Sequence, residues 1–164
     1  MPDDRHWLRQ TIELAKQCPP SSTAFAVGSV IVDEHGELLS TGFSRETGPT
    51  EHAEEVALTR LGNQPPTGVT LYSSLEPCSQ RASKPRCCTE LIIEAGIRRV
   101  VFAWREPDHF VSNAESVHMM RGHGLDVVEI PDLAEAARAV NNDVLSELPG
   151  GATRLGKCEE EPDS

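Results

Sequence analysis

The stretch VTLYSSLEPCSQRASKPRCCTELIIEAGIRRVVFAW, residues 69–104, decides the fold. Apolar runs at its two ends predict strands at residues 69–73 and 100–104, because β-branched and aromatic side chains favour extended backbone. Between them, residues 87–95 predict a helix that ends at Gly96. Strands joined through a helix usually run parallel, so this stretch predicts the centre of an α/β sheet.

The flanking segments extend this unit into a mixed sheet. Residues 26–32 and 37–43 surround a polar turn and predict an antiparallel hairpin, and residues 125–130 predict a last strand. Helical patterns predict four more helices, at residues 3–16, 51–61, 112–122 and 133–148. We therefore expect a sheet covered by helices on both faces, in one domain of residues 1–149. Residues 150–164 are polar and acidic, and we expect a mobile tail.

Composition narrows the class of protein. The chain has 15 basic and 26 acidic residues, a formal net charge of −11, which disfavours a polynucleotide substrate because phosphate contacts need a basic face. No run approaches the roughly 20 apolar residues of a membrane span. The start of the chain lacks the features of a secretion signal, so we expect the cytoplasm. Five cysteines, an odd number, argue against a disulfide framework, and three of them fall within eleven residues.

Two motifs carry the chemistry: His52-Ala53-Glu54, and Pro77-Cys78 followed after eight residues by Cys87. One imidazole and two thiolates are the three protein ligands typical of catalytic zinc, which keeps its fourth position for water. Glu54 lies two residues from His52 and is free to act as general acid and base. The spacing favours Cys87 over Cys88 as the second thiolate, and Cys88 is predicted to pack in the core.

These motifs resemble the deaminase domain of riboflavin-pathway enzymes, within the zinc-dependent cytidine deaminase-like superfamily. The residues that carry the resemblance are Val27-Gly28, Gly42, His52-Ala53-Glu54, the run 72–79, the run 85–88, and Ala95-Gly96-Ile97 with Arg99-Val100-Val101. The resemblance implies a three-layer α/β/α sandwich with a five-stranded mixed sheet, one zinc ion per chain, and a homodimer or homotetramer. It implies hydrolytic removal of an exocyclic amine from a small pyrimidine-type base, nucleoside or nucleotide.

The chain departs from that family where the family holds its substrate. An Asn-Pro segment is replaced by Ala24-Phe25-Ala26, and a His by Ser44. The cysteine loop lacks the family's His and Gly, and Glu106-Pro107-Asp108 replaces Asp-Pro-Asn. Because of these differences, the sequence does not identify which ring is deaminated. The candidate substrate-binding residues are Phe25, Ala53, Ser74, Arg81 and Lys84.

Other interpretations differ from this one in the residues that each would need. The chain could be a riboflavin-pathway aminopyrimidine deaminase proper, or a purine or tRNA deaminase. It could also be a non-catalytic domain stapled by zinc, although such a site has no need of Glu54. A redox protein that uses Cys87 and Cys88 is disfavoured, because adjacent cysteines form a disulfide poorly. The remaining histidines, among them His118 and His123, are predicted to be exposed rather than a second metal site.

Overall fold

A computed structural model describes residues 3–21, 24–62, 65–79, 86–105 and 115–146 of the chain. The predicted acidic tail, Arg81, Lys84, His109 and Cys158 lie outside these residues. None of the helices within them is both long enough and apolar enough to cross a membrane.

Within the described residues, five strands form one mixed sheet, as predicted. They are β1 (Gly28–Val32), β2 (Leu38–Phe43), β3 (Thr70–Leu75), β4 (Arg99–Trp104) and β5 (Asp126–Glu129). Their spatial order is β2-β1-β3-β4-β5. β1 pairs antiparallel with both β2 and β3, whereas β3, β4 and β5 are parallel. The hairpin and the strand-helix-strand unit therefore meet at the β1–β3 pair.

Helices cover both faces of the sheet. They are α1 (Asp4–Ala15), α2 (Ala53–Leu61), α3 (Cys88–Glu94), α4 (Glu115–Gly122), α5 (Ala134–Ala139) and α6 (Asn142–Ser146). α1 and α5 pack on one face, and α2, α3 and α4 lie on the other. Successive residues of β4 enter opposite cores: Val101 packs with α1 and α5, and Phe102 with α3 and α4. This alternation is the period of two expected for a strand buried on both faces, and the three-layer sandwich is confirmed.

The last predicted helix differs from the structure. The sequence predicts one continuous helix over residues 133–148. In the structure a 3₁₀ turn at Pro131–Leu133 leads into α5, and the helix is interrupted before α6 begins. Asn141 lies at the break, where its amide accepts a hydrogen bond from Ala26 N–H at 2.6 Å and donates one to Ala26 O at 3.0 Å. The same amide donates to Ala137 O of α5 at 3.4 Å, and such local side-chain bonds to the backbone compete with helical continuation.

A charged cluster fastens α1 to the sheet. Arg99 donates two hydrogen bonds to the Asp4 carboxylate, at 2.9 and 2.7 Å, and the Tyr72 hydroxyl donates a third at 2.7 Å. The bonds from Arg99 are the main cause that holds the pKa of Asp4 below its usual value. Burial, followed by the bond to Asp4, raises the pKa of Tyr72. The bidentate contact between Arg99 and Asp4 stabilises the orientation of α1 across β3 and β4.

Candidate metal and catalytic site

The loops that carry both motifs leave the sheet at one edge. β3 ends at Leu75 opposite Trp104, the last residue of β4. β1 begins at Gly28 opposite Phe43, the last residue of β2. The loop after β2 leads to α2, and the loop after β3 leads to α3. The start of β1 and the ends of β2, β3 and β4 therefore lie at the same end of the sheet, and the residues next to them lie close together.

His52 and Cys87 are the N-cap residues of α2 and α3. Helix starts carry unpaired N–H groups and a partial positive charge, which favours nearby thiolates. Cys78 uses this directly, because its Sγ accepts a hydrogen bond from Cys88 N–H at 3.1 Å. The Glu55 carboxylate accepts a hydrogen bond from His52 N–H at 3.3 Å and helps to hold the start of α2. Both motifs therefore lie at helix starts, as the sequence predicts.

Three side chains form a group whose ligand atoms lie within 4.8 Å of one another: His52, Cys78 and Cys88. His52 Nδ1 lies 3.2 Å from Cys88 Sγ and 3.8 Å from Cys78 Sγ. Zinc bonds of about 2.0–2.1 Å to nitrogen and 2.3 Å to sulfur place such atoms roughly 3.6 Å apart at a tetrahedral angle. The observed separations bracket that value, so the donor set fits a zinc ion in both chemistry and spacing.

The third member of the group differs from the sequence interpretation, which assigned Cys87 as a ligand and Cys88 to the core. In the structure Cys88 lies in the group, and Cys87 Sγ instead lies 3.4 Å from Glu90 Oε1. Burial is the main cause that raises the pKa of the Cys87 thiol. Successive helical residues point about 100° apart, so the two thiols do not face His52 together. Spacing determines the loop length but not the direction of the side chain at its end.

Glu54 is buried in the first turn of α2, with 4% of its surface exposed. A carboxylate is rarely buried to this degree without a role or a partner. Its position two residues beyond His52 brings it to the helix end where the metal group forms. The arrangement can bind a metal and can supply an acid or base next to it.

The predicted substrate-binding residues fall into different environments. Phe25 is half-buried and packs edge-on against Trp104, with ring centroids 5.3 Å apart. Ala53 is fully buried. Ser74 is also buried, and its hydroxyl accepts a hydrogen bond from Gly28 N–H at 3.1 Å, which gives it a role in the sheet.

Sequence reasoning missed several residues at this edge. Arg45 donates to backbone carbonyls of the segment that precedes β1. Glu76 is buried, and its carboxylate accepts a hydrogen bond from the Ser116 hydroxyl at 2.6 Å. The hydroxyl of Ser79, directly after Cys78, is buried and has no hydrogen-bond partner within the described residues. The signal available for Glu76 and Ser79 was their adjacency to Pro77-Cys78, whereas no local pattern marked Arg45.

The other titratable residues agree with the predicted background. His6, His35, His118 and His123 are exposed, as expected. Cys18 is a free thiol near the end of α1 and donates to Val27 O at 3.6 Å. Burial raises the pKa of the Cys18 thiol.

The chain is similar in sequence to deaminases and riboflavin biosynthesis proteins. The chain is 40% identical over 127 residues to the diaminohydroxyphosphoribosylamino-pyrimidine deaminase of Schizosaccharomyces pombe, which covers 75% of this chain and 31% of the relative. It is 35% identical over 144 residues to the riboflavin biosynthesis protein RibD of Aquifex aeolicus, covering 85% of this chain and 38% of the relative. The chain thus spans about a third of the length of these relatives.

Solved structures show the same architecture. Acinetobacter baumannii RibD superposes with a TM-score of 0.74 at 32% identity, over 87% of this chain and 39% of that one. The Aspergillus oryzae Rib2 deaminase, a C-terminal deletion mutant, superposes with a TM-score of 0.73 at 25% identity, over 84% of this chain and 89% of that one. The resemblance inferred from the motifs is confirmed. Residues 1–104 match the cytidine and deoxycytidylate deaminase zinc-binding region, and the chain belongs to that family.

Proposed function

We propose that this chain is a zinc-dependent hydrolytic deaminase that removes an exocyclic amine from a small pyrimidine-type ring. The observation that carries the proposal is the group of His52, Cys78 and Cys88, with Glu54 buried two residues beyond His52. Membership in a family defined by its zinc-binding region supports it. His52, Cys78 and one thiol of the Cys87-Cys88 pair hold the metal, and the structure favours Cys88.

Glu54 moves the protons of the reaction. Zinc, when bound, supplies a Lewis acid that lowers the pKa of water to about 7. Glu54 accepts a proton from the attacking water and delivers it to the ring nitrogen, while the water oxygen bonds to the carbon that carries the amine. Glu54 then carries the second proton to the amine, the carbon–nitrogen bond breaks, and ammonia leaves. Burial of Glu54 keeps bulk water from competing for these protons.

The ring binds against an aromatic surface. Phe25 and Trp104 lie at the sheet edge from which the metal-site loops leave, and we assign Phe25 as the side chain that contacts the ring. Arg81 and Lys84 lie between Cys78 and Cys87 in the sequence. Two cations there suit an anionic substituent such as a phosphate.

A second candidate is the riboflavin-pathway aminopyrimidine itself. The S. pombe relative, named as the deaminase of that compound, is 40% identical to this chain. Against this stand the replaced residues at the substrate positions. One of them, Ser44, is buried, and its hydroxyl accepts a hydrogen bond from Val27 N–H at 3.0 Å. A side chain engaged with β1 in this way is poorly placed to hold a substrate.

Ammonia release over a panel of amines tests both candidates. The panel contains cytosine, cytidine, deoxycytidine, their monophosphates, adenine and guanine compounds, and the riboflavin-pathway aminopyrimidine with and without its phosphate. Glu54→Gln should abolish release while zinc content stays near one per chain. Glu94→Gln is the matched control. Glu94 lies on α3 and forms an exposed ion pair with Arg86, so this variant removes the same charge as Glu54→Gln.

The outcomes separate the alternatives. Release that persists in Glu54→Gln contradicts the proposed mechanism. Zinc bound without release from any compound favours a non-catalytic, zinc-stapled domain. Preference for the phosphorylated aminopyrimidine would identify the second candidate and support Arg81 and Lys84 as the side chains that bind its phosphate. We further propose a cytoplasmic homodimer or homotetramer, which light scattering of the purified protein and fractionation of cells would test.

A further inference from the structure

Arg45 has a backbone conformation that side chains rarely adopt. Its φ of 60° lies in the left-handed region, and it is the one non-glycine residue with positive φ among those that the structure describes. A Cβ atom is unfavourable there, so the surroundings must hold the conformation in place. The Arg45 N–H donates to Glu51 O at 2.7 Å. This bond closes the loop after β2 directly before His52.

The Arg45 guanidinium closes a second loop. Nη2 donates to Pro19 O at 2.8 Å, and Nη1 donates to Phe25 O at 3.3 Å. One planar group thus holds both ends of the segment that leads into β1. Its Nε is buried and has no hydrogen-bond partner within the described residues. An unpaired buried donor is unfavourable, as is the backbone conformation, and such features persist mainly where function requires them.

Phe25, which Arg45 holds, forms one half of an aromatic wall with Trp104. The two rings pack edge-on at an angle of 70°. The next residue, Ala26, is held at both its N–H and its carbonyl by Asn141. The segment that carries Phe25 is therefore held on its C-terminal side by Asn141, between α5 and α6, and on the other side by Arg45.

We propose that Arg45 is a positioning residue that fixes the aromatic wall relative to His52. Its backbone holds the loop that enters the metal site, and its side chain holds the segment that carries Phe25. A single residue thus links the loop that enters the metal site to the segment that carries Phe25, and we place the substrate ring between the two. The proposal rests on the proposed deaminase function, because it assumes that the ring binds there.

Arg45→Gly separates the side chain from the turn. Glycine favours positive φ, so the variant keeps the loop before His52 while it loses the bonds to Pro19 and Phe25. Arg45→Lys keeps the charge but lacks the planar fork that reaches two carbonyls at once. Arg60→Ala is the matched control. Arg60 binds Glu46 of the same loop and Thr41 O, and not the segment that carries Phe25.

Two measurements test the proposal in a Trp7→Phe background, where Trp104 is the remaining tryptophan. Acrylamide quenching of Trp104 fluorescence should increase in Arg45→Gly and less in Arg45→Lys, with zinc content unchanged. Steady-state deamination of cytidine and of the riboflavin-pathway aminopyrimidine should show KM raised about 10-fold with kcat nearly unchanged, because the wall contacts the ring in ground and transition states alike. Arg60→Ala should match the background protein in both.

The two measurements distinguish failure of the proposal about Arg45 from failure of the proposed deaminase function. Zinc-loaded Arg45→Gly with unchanged quenching and unchanged KM would overturn the proposal and leave Arg45 as a loop closure only. If the background protein deaminates neither compound, the proposed function loses support, and quenching alone decides whether Arg45 holds the wall. A fall in kcat with unchanged KM would also contradict the proposal, since it would place the effect on the reacting groups.

Discussion

Gly42 of β2 allows α2 to lie close against the sheet, and its replacement by alanine should displace α2, the helix that carries Glu54. An alanine Cβ would lie 2.5 Å from Ala53 O, 2.7 Å from Ala57 N and 2.9 Å from Val56 Cβ. Carbon atoms prefer separations of about 3.5–4.0 Å, and the first two of these neighbours belong to the helix backbone. Relief therefore requires α2 to move outward by roughly 1 Å.

Such a displacement reaches the reacting groups directly. Ala53 lies between His52 and Glu54, so the contact falls on the turn that holds the proposed metal ligand and the proposed proton carrier. A misplacement of about 1 Å can cost on the order of 10²-fold in rate. Forcing one methyl group into a packed contact also destabilises the fold by about 1–3 kcal/mol. We expect the loss of kcat in Gly42→Ala to exceed what the loss of stability explains.

The assay compares Gly42→Ala with Gly122→Ala. An alanine Cβ at Gly122, the last residue of α4, would meet no atom within 4 Å. Replacing that glycine should leave kcat unchanged and alter the unfolding free energy by less than about 1 kcal/mol. Urea unfolding of the zinc-loaded proteins gives stability, and ammonia release well below the melting temperature gives kcat. Wild-type kcat in Gly42→Ala would refute the reasoning that this contact positions the site.

Two further predictions concern the metal group and the charged cluster. Cys88→Ala should lose zinc in competition with a chelator while Cys87→Ala keeps about one ion per chain, because a site with fewer protein ligands binds zinc more weakly. The reverse result would assign the ligand to Cys87, as the eight-residue spacing predicts. Asp4→Asn should lower the unfolding free energy at pH 7 by about 1 kcal/mol, because the bonds from Arg99 and Tyr72 weaken and the cluster is partly exposed. Because the pKa of Asp4 is depressed in the folded state, this stabilisation is present above the unfolded carboxyl pKa of about 3.9 and is lost as pH falls further. A difference in urea midpoints that stays constant from pH 7 to pH 3 would contradict the charge argument.

Local patterns carried most of the architecture. The alternation of short apolar runs with helical stretches predicted all five strands, and β3 and β4 differ from their predicted bounds by no more than two residues at either end. His52 and Cys87 were predicted near helix starts and are N-cap residues. These features depend on neighbours in sequence, through side-chain period and helix capping, so the sequence was sufficient for them.

The sequence by itself determined the sheet, the two motif-bearing helix starts, the donor types for zinc and the position of Glu54. Only the tertiary structure decided which adjacent thiol meets His52, where the last helix breaks, and that Arg45 links two loops. Each of these depends on groups far apart in the chain: Cys88 with His52, Asn141 with Ala26, and Arg45 with Pro19. Side-chain direction at a loop end, and the partner of a buried polar group, follow from how separate segments pack. No local pattern records that packing.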